Sequence, residues 1–100
     1  MKIAIIGAGA IGGYVGAKLA LAGEQVTFLV RGGNLEAIRR KGMTLQTADG
    51  NIHVARNVAA TDDYAAAGTH DVVILAMKAH QVEAVLPQLH HLLGDETVIV

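Results

Sequence analysis

A glycine-rich turn near the amino terminus has the G-x-G-x-x-G spacing of a dinucleotide-binding loop. Gly7 permits a tight turn from strand to helix, Gly9 lets the backbone approach a pyrophosphate, and Gly12 lets the helix pack against a sheet. The N–H groups at the start of that helix would face the phosphates. We therefore predict that the whole turn binds the cofactor; it consists of Gly7, Ala8, Gly9, Ala10, Ile11 and Gly12.

The residues on either side of the turn supply the context that this motif needs. Residues 2–6 form a short apolar run that suits a buried parallel strand. Ile11, Val15 and Leu19 recur every four residues and predict one apolar face of a helix. The turn is thus expected between a strand and a helix, and a purely structural glycine turn in another α/β protein is the alternative.

Arg31 ends the second apolar run, residues 25–30, and lies nineteen residues after Gly12. The adenosine ribose of a bound dinucleotide is recognised at this place. A carboxylate would accept hydrogen bonds from the 2′-hydroxyl of NAD, whereas a guanidinium can fork onto the 2′-phosphate of NADP. Gly32 and Gly33 also suit a backbone that approaches a ligand closely. We predict an NADP(H) site; the alternative is a solvated arginine at a strand end.

Lys78 follows another buried apolar run, residues 71–77, which reads as a parallel strand. Open α/β sheets bind ligands at the carboxyl ends of their strands. The Lys78 ammonium could contact a cofactor phosphate or ribose there, or a substrate carboxylate. Gln81 lies one helical turn further and would share this edge. The alternative is a strand-end lysine in water.

The middle of the chain departs from a plain alternation of strands and helices. Asn34 is a plausible N-cap for a short helix. Residues 43–46 and 52–54 flank Asp49 and Gly50, a two-residue turn signal that predicts a hairpin.

The last forty residues predict a capped helical turn, a longer helix and a final strand. Asp62 and Asp63 are interpreted as helix caps rather than as catalytic or metal-binding carboxylates. Pro87 should bend or restart the longer helix, Gly94 should end it, and Thr97 should begin the strand. The residues expected to face the core from this helix are Val82, Val85, Leu86, Leu89, Leu92 and Leu93.

Composition argues against several classes of protein. The 100 residues are 52% hydrophobic, 3% aromatic and 17% charged, with a net charge of −1, which offers neither a basic surface nor a stacking platform for nucleic acid. Without cysteine there is no disulfide framework, and we expect a cytoplasmic protein. The five histidines have no ligand-like spacing, so no metal is expected. Five glycines and Lys18 interrupt the apolar stretch 3–22, which argues against a membrane span.

These elements predict an α/β fold, a Rossmann-type doubly wound and mostly parallel sheet that is incomplete at the C-terminus. Residues 1–100 would be part of an N-terminal dinucleotide-binding domain, because a buried strand makes an unusual natural terminus. A substrate-binding domain would lie beyond Val100.

Three features together resemble the N-terminal domain of the ketopantoate reductase family. They are the glycine turn at residues 7–13, Arg31 after the second strand, and the segment Met77-Lys78-Ala79-His80-Gln81. The resemblance covers essentially the whole chain, and the hairpin fits it as well.

The resemblance implies NADPH-dependent reduction of 2-dehydropantoate to (R)-pantoate, a step toward pantothenate and coenzyme A. Residues 7–12 would hold the pyrophosphate, Arg31 the 2′-phosphate, and Lys78 would line the cofactor site beside Gln81. The family's Asn-Gly segment and its helical domain, with a general-acid lysine and an acidic partner, would lie beyond Val100. No catalytic residue is therefore assigned, and this chain alone should be inactive. The partner of the whole enzyme would be a small 2-oxo acid, and a homodimer is the oligomeric state considered.

Other classes of protein remain as alternatives. Another NADP-dependent dehydrogenase could use the same domain with a different 2-oxo acid. A nucleotide-sensing regulatory domain has a similar glycine turn but tends to carry an acid where Arg31 stands. A structural α/β module would make the glycine spacing and Arg31 coincidental.

Overall fold

The computed structural model describes residues 1–9 and 11–100, and Ala10 only as the first residue of a helix. In chain order, the elements are β1 (Lys2–Ile6), α1 (Ala10–Leu21), β2 (Gln25–Leu29), α2 (Gly32–Lys41), β3 (Met43–Gln46), β4 (Ile52–Ala55), β5 (Val58–Thr61), α3 (Tyr64–Ala67), β6 (His70–Leu75), α4 (Ala79–Leu89), a 3₁₀ turn (His90–Leu92) and β7 (Leu93–Ile99).

Five of the strands form one parallel sheet in the order β5-β2-β1-β6-β7. The chain moves outward from the central β1 in one direction through β2 and β5, then returns to build β6 and β7 on the other side. This doubly wound arrangement confirms the predicted Rossmann-type α/β fold. Strands β3 and β4 form a separate antiparallel pair.

Alternate residues of β1 serve two different cores. Ile3 and Ile5 pack on one face of the sheet, and Ala4 and Ile6 pack on the other. Helices α1 and α2 and the β3–β4 pair cover the first face, while α3 and the end of α4 cover the second. Because strand side chains alternate between faces, a strand covered on both sides must be apolar where it is buried, as residues 3–6 of β1 are.

Small residues form the buried face of α1, which differs from the face predicted. Ile11 is 77% exposed, and Val15 and Leu19 are only partly buried. A Cβ atom at Gly16 would collide with the ring of Phe28, so the helix axis lies too near the sheet for larger side chains. The buried residues of this helix are Gly12, Gly13, Gly16, Ala17 and Ala20.

Helix α2 begins earlier than predicted. Arg31 is its N-cap in place of Asn34. Gly32 has a φ of +64°, a conformation that glycine adopts more readily than other residues. The chain can therefore turn from strand to helix directly after Arg31.

The predicted hairpin is present, but its loop is longer than two residues. Gln46 pairs with Ile52, so residues 47–51 form the connection. The Asp49 carboxylate accepts hydrogen bonds from the Asn51 backbone N–H at 3.1 Å and from the Thr47 hydroxyl. The Thr47 N–H also donates to the Asn51 carbonyl at 2.9 Å, so backbone and side-chain hydrogen bonds close the loop together.

Capping of α3 by Asp63 is confirmed. Its carboxylate accepts the Ala66 N–H at 3.1 Å, which is the N-cap bond expected of an aspartate. Gly68 ends the helix with a φ of +74°.

The carboxyl-terminal elements differ from the prediction in where α4 ends, where β7 begins and how far Leu86 is buried. Pro87 lies inside α4, which continues to Leu89 without restarting. Strand β7 begins at Leu93 rather than at Thr97. Its register with β6 shifts between His70, which pairs with Leu93, and Val72, which pairs with Val98, and this irregularity accommodates the additional residues of β7. Leu86, predicted to face the core, is 52% exposed.

Candidate cofactor site

The carboxyl ends of β2, β1 and β6 lie side by side at one edge of the sheet. Ile6 at the end of β1 is paired with Leu29 of β2 and with Leu75 of β6. Neighbouring strands are roughly 4.8 Å apart. The structure therefore brings the glycine turn, Arg31 and Lys78 to the same edge, as predicted from their positions after buried strands.

Backbone hydrogen bonds hold the glycine turn in place. The Gly7 N–H donates to the Leu29 carbonyl at 3.0 Å, and the Ala76 N–H donates to the Ile6 carbonyl at 2.9 Å. Gly7 has a φ of +97°, and a Cβ there would lie 2.8 Å from the Ala76 carbonyl oxygen. Only glycine satisfies both conditions.

Gly9 differs from Gly7 in having open space beside it. A Cβ atom at Gly9 would meet no protein atom within 4 Å. Its φ of −68° is ordinary for any residue. Nothing in the fold of the described residues therefore requires glycine here, and the open space leaves room for a ligand to approach the backbone.

Helix α1 presents its amino end beside this open space. Gly9 is the N-cap and supplies no side-chain acceptor, and the first turn contains no acidic residue. The unpaired N–H groups and the helix dipole make this end attractive to an anion. Ala8 is half-buried and Ile11 is exposed. Ala10 lies outside the described residues except for opening the helix.

Arg31 adds a cation next to a second helix start. Its side chain is exposed and takes part in no ion pair among the described residues. Side-chain carbons at Gly32 and Gly33 would also have no neighbour within 4 Å. A guanidinium, open backbone and the amino end of α2 thus occur together, which suits a phosphate.

Tyr64 lies near Arg31, and no sequence pattern indicates this proximity. Its ring is buried in the core cluster that includes Leu29. Burial raises the pKa of Tyr64, and the positive charge of Arg31 partly opposes this shift. Only the pairing of β5 with β2 brings the residue after β5 close to the residue after β2, and sequence pattern does not reveal that pairing.

Lys78 is the N-cap of α4, three residues beyond the end of β6. Its side chain is exposed. The Gln81 Oε1 atom accepts a hydrogen bond from the Lys78 N–H at 3.1 Å, and the Gln81 N–H donates to the Lys78 carbonyl at 2.8 Å. Gln81 thus shares this edge, and its amide oxygen is bonded to the backbone of Lys78.

Two grooves, of about 340 and 430 Å³, lie at the opposite, amino-terminal edge of the sheet and share Lys2 and His70. Helices α1, α2 and α4 each follow a strand, so their amino ends are all at the carboxyl edge. The grooves consequently lack the helix N–H groups that bind phosphate, and the carboxyl edge is the better cofactor site despite being open.

His70 is the buried polar residue of that amino-terminal edge, only 5% exposed. Its Nδ1 atom lies 2.9 Å from the Gly68 carbonyl oxygen and must donate to it, because a carbonyl only accepts. Burial lowers the pKa of His70, whereas the Gly68 hydrogen bond opposes this effect. Lys2 lowers the pKa further and Asp71 raises it.

The described part of the chain contains neither a metal-binding cluster nor a membrane-spanning helix. No three histidine or acidic residues cluster in a way that could hold a metal ion. Among the same residues, no helix is long and apolar enough to cross a membrane.

The parallel sheet, the glycine turn and the helix starts at one edge define a Rossmann-type α/β fold, a class in which ligands bind at this edge. The family model "Ketopantoate reductase PanE/ApbA" matches residues 3–100. The chain belongs to this family of pyridine nucleotide-dependent oxidoreductases.

Individual relatives are consistent with this membership. The chain is 46% identical to a 2-dehydropantoate 2-reductase of Mesorhizobium japonicum over all of its own length and 30% of the relative's. The crystal structure of 2-dehydropantoate 2-reductase from Porphyromonas gingivalis is 33% identical and superposes with a TM-score of 0.85, covering 99% of this chain and 37% of that one. The chain therefore spans about a third of the length of these relatives.

A structure with a different name is also similar. The ternary structure of D-mandelate dehydrogenase with NADH and anilino(oxo)acetate is 27% identical, with a TM-score of 0.81. The superposition covers 99% of this chain and 32% of that chain.

Proposed function

We propose that the protein containing this chain reduces 2-dehydropantoate to (R)-pantoate with NADPH, a step toward pantothenate and coenzyme A. Residues 1–100 supply the N-terminal dinucleotide-binding domain, and a helical domain in the remainder supplies the catalytic residues and completes the substrate site. We also propose that this protein acts in the cytoplasm. The name of the Mesorhizobium japonicum relative supports the reaction.

The observation that carries the proposal is the open space at Gly9 beside the amino end of α1. A pyrophosphate placed there would receive hydrogen bonds from the unpaired N–H groups of the first helical turn. Ala8 and Ile11 flank this position, and Gly12 keeps the helix close to the sheet. The residues present therefore fit a dinucleotide.

Arg31 gives the proposal its preference for NADPH. Its guanidinium and the amino end of α2 bind the 2′-phosphate, which NADH lacks. A charge-assisted hydrogen bond contributes roughly 1.5 to 3 kcal/mol, so one good pair favours NADPH about tenfold to a hundredfold. When bound, the cofactor supplies a hydride to the ketone carbon of the substrate.

Lys78 lies at the side of β1 opposite Arg31 and completes the positive edge. Its ammonium binds a cofactor phosphate or ribose hydroxyl. The site thus has a cation on each side of the glycine turn and helix starts between them, and this arrangement holds an extended, anionic dinucleotide in one orientation.

A second candidate function is reduction of a different 2-oxo acid by the same domain. The likeness to D-mandelate dehydrogenase, whose structure contains NADH and anilino(oxo)acetate, favours this alternative. The substrate domain would decide between the two, because we assign residues 1–100 to cofactor binding.

The decisive experiment has two stages. First, the folded chain is titrated with NADPH and with NADH, following the fluorescence of the reduced nicotinamide; we expect NADPH to bind at least about tenfold more tightly. Equal affinity would contradict the phosphate-binding role of Arg31. Second, the full-length protein is assayed with 2-dehydropantoate and with other 2-oxo acids, and a higher kcat/KM for another acid would favour the second candidate.

A further inference from the structure

Lys78 lies on a connection that is anchored at both ends. On the strand side, the Ala76 N–H continues the sheet ladder by donating to the Ile6 carbonyl at 2.9 Å. On the helix side, the Gln81 Oε1 atom accepts the Lys78 N–H at 3.1 Å. The backbone of Lys78 is therefore fixed between the sheet and the first turn of α4.

Because residue 78 is a lysine, capping of α4 by a side chain falls to Gln81. Ser, Thr, Asp or Asn at an N-cap accepts a hydrogen bond from the helix through its own side chain. A lysine ammonium has three donors and no acceptor, so Lys78 cannot cap α4 in this way. The remaining half of a capping box is the side chain at the third helical position reaching back to the N-cap N–H, and Gln81 does this.

The orientation of the Gln81 amide follows from the same bond. Because the Lys78 N–H can only donate, the atom facing it must be the amide oxygen. The Gln81 amide oxygen is thus hydrogen-bonded to the Lys78 backbone. Gln81 stabilises one backbone conformation of Lys78, with φ −69° and ψ 150°, and this conformation sets the direction in which the lysine side chain leaves the edge.

We infer that Gln81 is a positioning residue, which holds the Lys78 ammonium at the cofactor edge through the backbone hydrogen bond rather than by its own contact with the cofactor. This inference rests on the proposed function, since it takes Lys78 as a cofactor-binding residue. It also explains the Lys-x-x-Gln spacing, because the third helical position is the one whose side chain reaches the N-cap N–H.

A double-mutant cycle in the full-length protein tests the inference. Gln81→Met removes the amide while keeping side-chain length, and Lys78→Met removes the ammonium. We expect Gln81→Met to weaken NADPH binding about fivefold, as loss of one hydrogen bond would. In the Lys78→Met background the same change should have no further effect, because the residue through which Gln81 acts is gone.

Exchange of the Lys78 amide hydrogen provides a second readout, independent of cofactor. Gln81→Met should speed this exchange at least about fivefold, whereas Gln81→Glu, which keeps an acceptor at the same position, should preserve the protection. The matched control is Gln88→Met, an exposed glutamine further along α4, which should change neither NADPH affinity nor Lys78 exchange.

The outcomes separate failure of the inference from failure of the proposed function. An equal loss of NADPH affinity from Gln81→Met in both backgrounds, or unchanged Lys78 exchange, would overturn the positioning role. If Lys78→Met itself leaves NADPH affinity unchanged, the assignment of Lys78 to the cofactor site is wrong and the positioning role falls with it. In that case a preference for NADPH over NADH would still support the proposed function.

Discussion

Gly12 lies so near Ala76 that a Cβ atom on the glycine would come within 2.7 Å of the Ala76 Cβ atom. This contact joins the first turn of α1 to the segment after β6. It sets the distance between the glycine turn and the connection that carries Lys78, so the spacing along the carboxyl edge of the sheet depends on the absence of one methyl group.

Gly12→Ala should therefore lower the free energy of unfolding. Alanine gains up to about 1 kcal/mol in helix propensity, but overpacking costs roughly 1 to 3 kcal/mol, and the Gly7 carbonyl oxygen at 3.0 Å blocks escape in another direction. Urea denaturation measures the net loss. Ala76→Gly in the same molecule should restore part of it.

The matched control is Gly13→Ala, one residue further along α1. The nearest atom to its Cβ would be the sulfur of Met43 at 3.3 Å, and a methionine side chain can move aside. Gly13→Ala should thus be neutral or stabilising. If Gly12→Ala proves as stable as Gly13→Ala, the close contact with Ala76 does not constrain the helix.

Gly9→Val should abolish cofactor binding while the protein stays folded. The new side chain meets no protein atom but occupies the place of the pyrophosphate. Losing two N–H bonds of about 1.5 kcal/mol each would weaken NADPH binding more than about a hundredfold. Titration with NADPH and a thermal melt together check this. A folded variant with wild-type affinity would show that the pyrophosphate lies elsewhere.

Arg31→Ala should weaken NADPH binding about tenfold to a hundredfold and leave NADH binding nearly unchanged, because only NADPH carries the 2′-phosphate. Arg40→Ala is the control: it removes the same charge from an exposed position at the other end of α2. Competitive titration with both nucleotides gives the ratio. Equal weakening of NADPH and NADH by Arg31→Ala would refute the role of Arg31 in phosphate recognition.

His70 should make stability depend on pH. Because burial lowers its pKa in the folded state below the ordinary 6.5, the unfolded chain binds more protons as the medium becomes acidic. The stabilisation is complete above pH 6.5 and is lost as the pH falls toward the folded-state pKa. Urea denaturation between pH 5 and pH 8 should show this decline.

His70→Asn places an amide nitrogen near the position of Nδ1 and can still donate to the Gly68 carbonyl, but it does not titrate, so the decline below pH 6.5 should become shallower. His53→Asn, at an exposed position on β4, is the matched control. An unchanged pH dependence in His70→Asn would mean that other groups cause it.

The edge that carries the candidate site could be predicted from the sequence, whereas the packing behind it could not. Residues that follow buried parallel strands must share one edge, and this rule placed Gly7, Arg31 and Lys78 together before the strand order was known. Their binding roles stay predictions.

The buried face of α1 shows why the packing could not be predicted from the sequence. Hydrophobic periodicity assumes that large apolar side chains face the core, which selected Ile11. Here the helix approaches Phe28 so closely that only glycine and alanine fit, and the large residues are displaced outward. Sequence pattern also does not show whether a helix restarts at a proline. Helix α4 continues through Pro87 to Leu89. Both Pro87 and Glu83, whose carbonyl loses its helical partner, are exposed to water.

The central position of β1 in the sheet affects how the chain folds during translation. One side of β1 pairs with β2, which is nearby in the chain, but the other side pairs with β6. The hydrogen bond from the Lys2 backbone N–H to the Asp71 carboxylate spans 69 residues. At roughly 5 to 20 residues per second, translation leaves that side unpaired for several seconds. β1 is thus synthesised before the other strands of its sheet, and its apolar edge stays exposed until β6 follows, which makes this segment a target for chaperones.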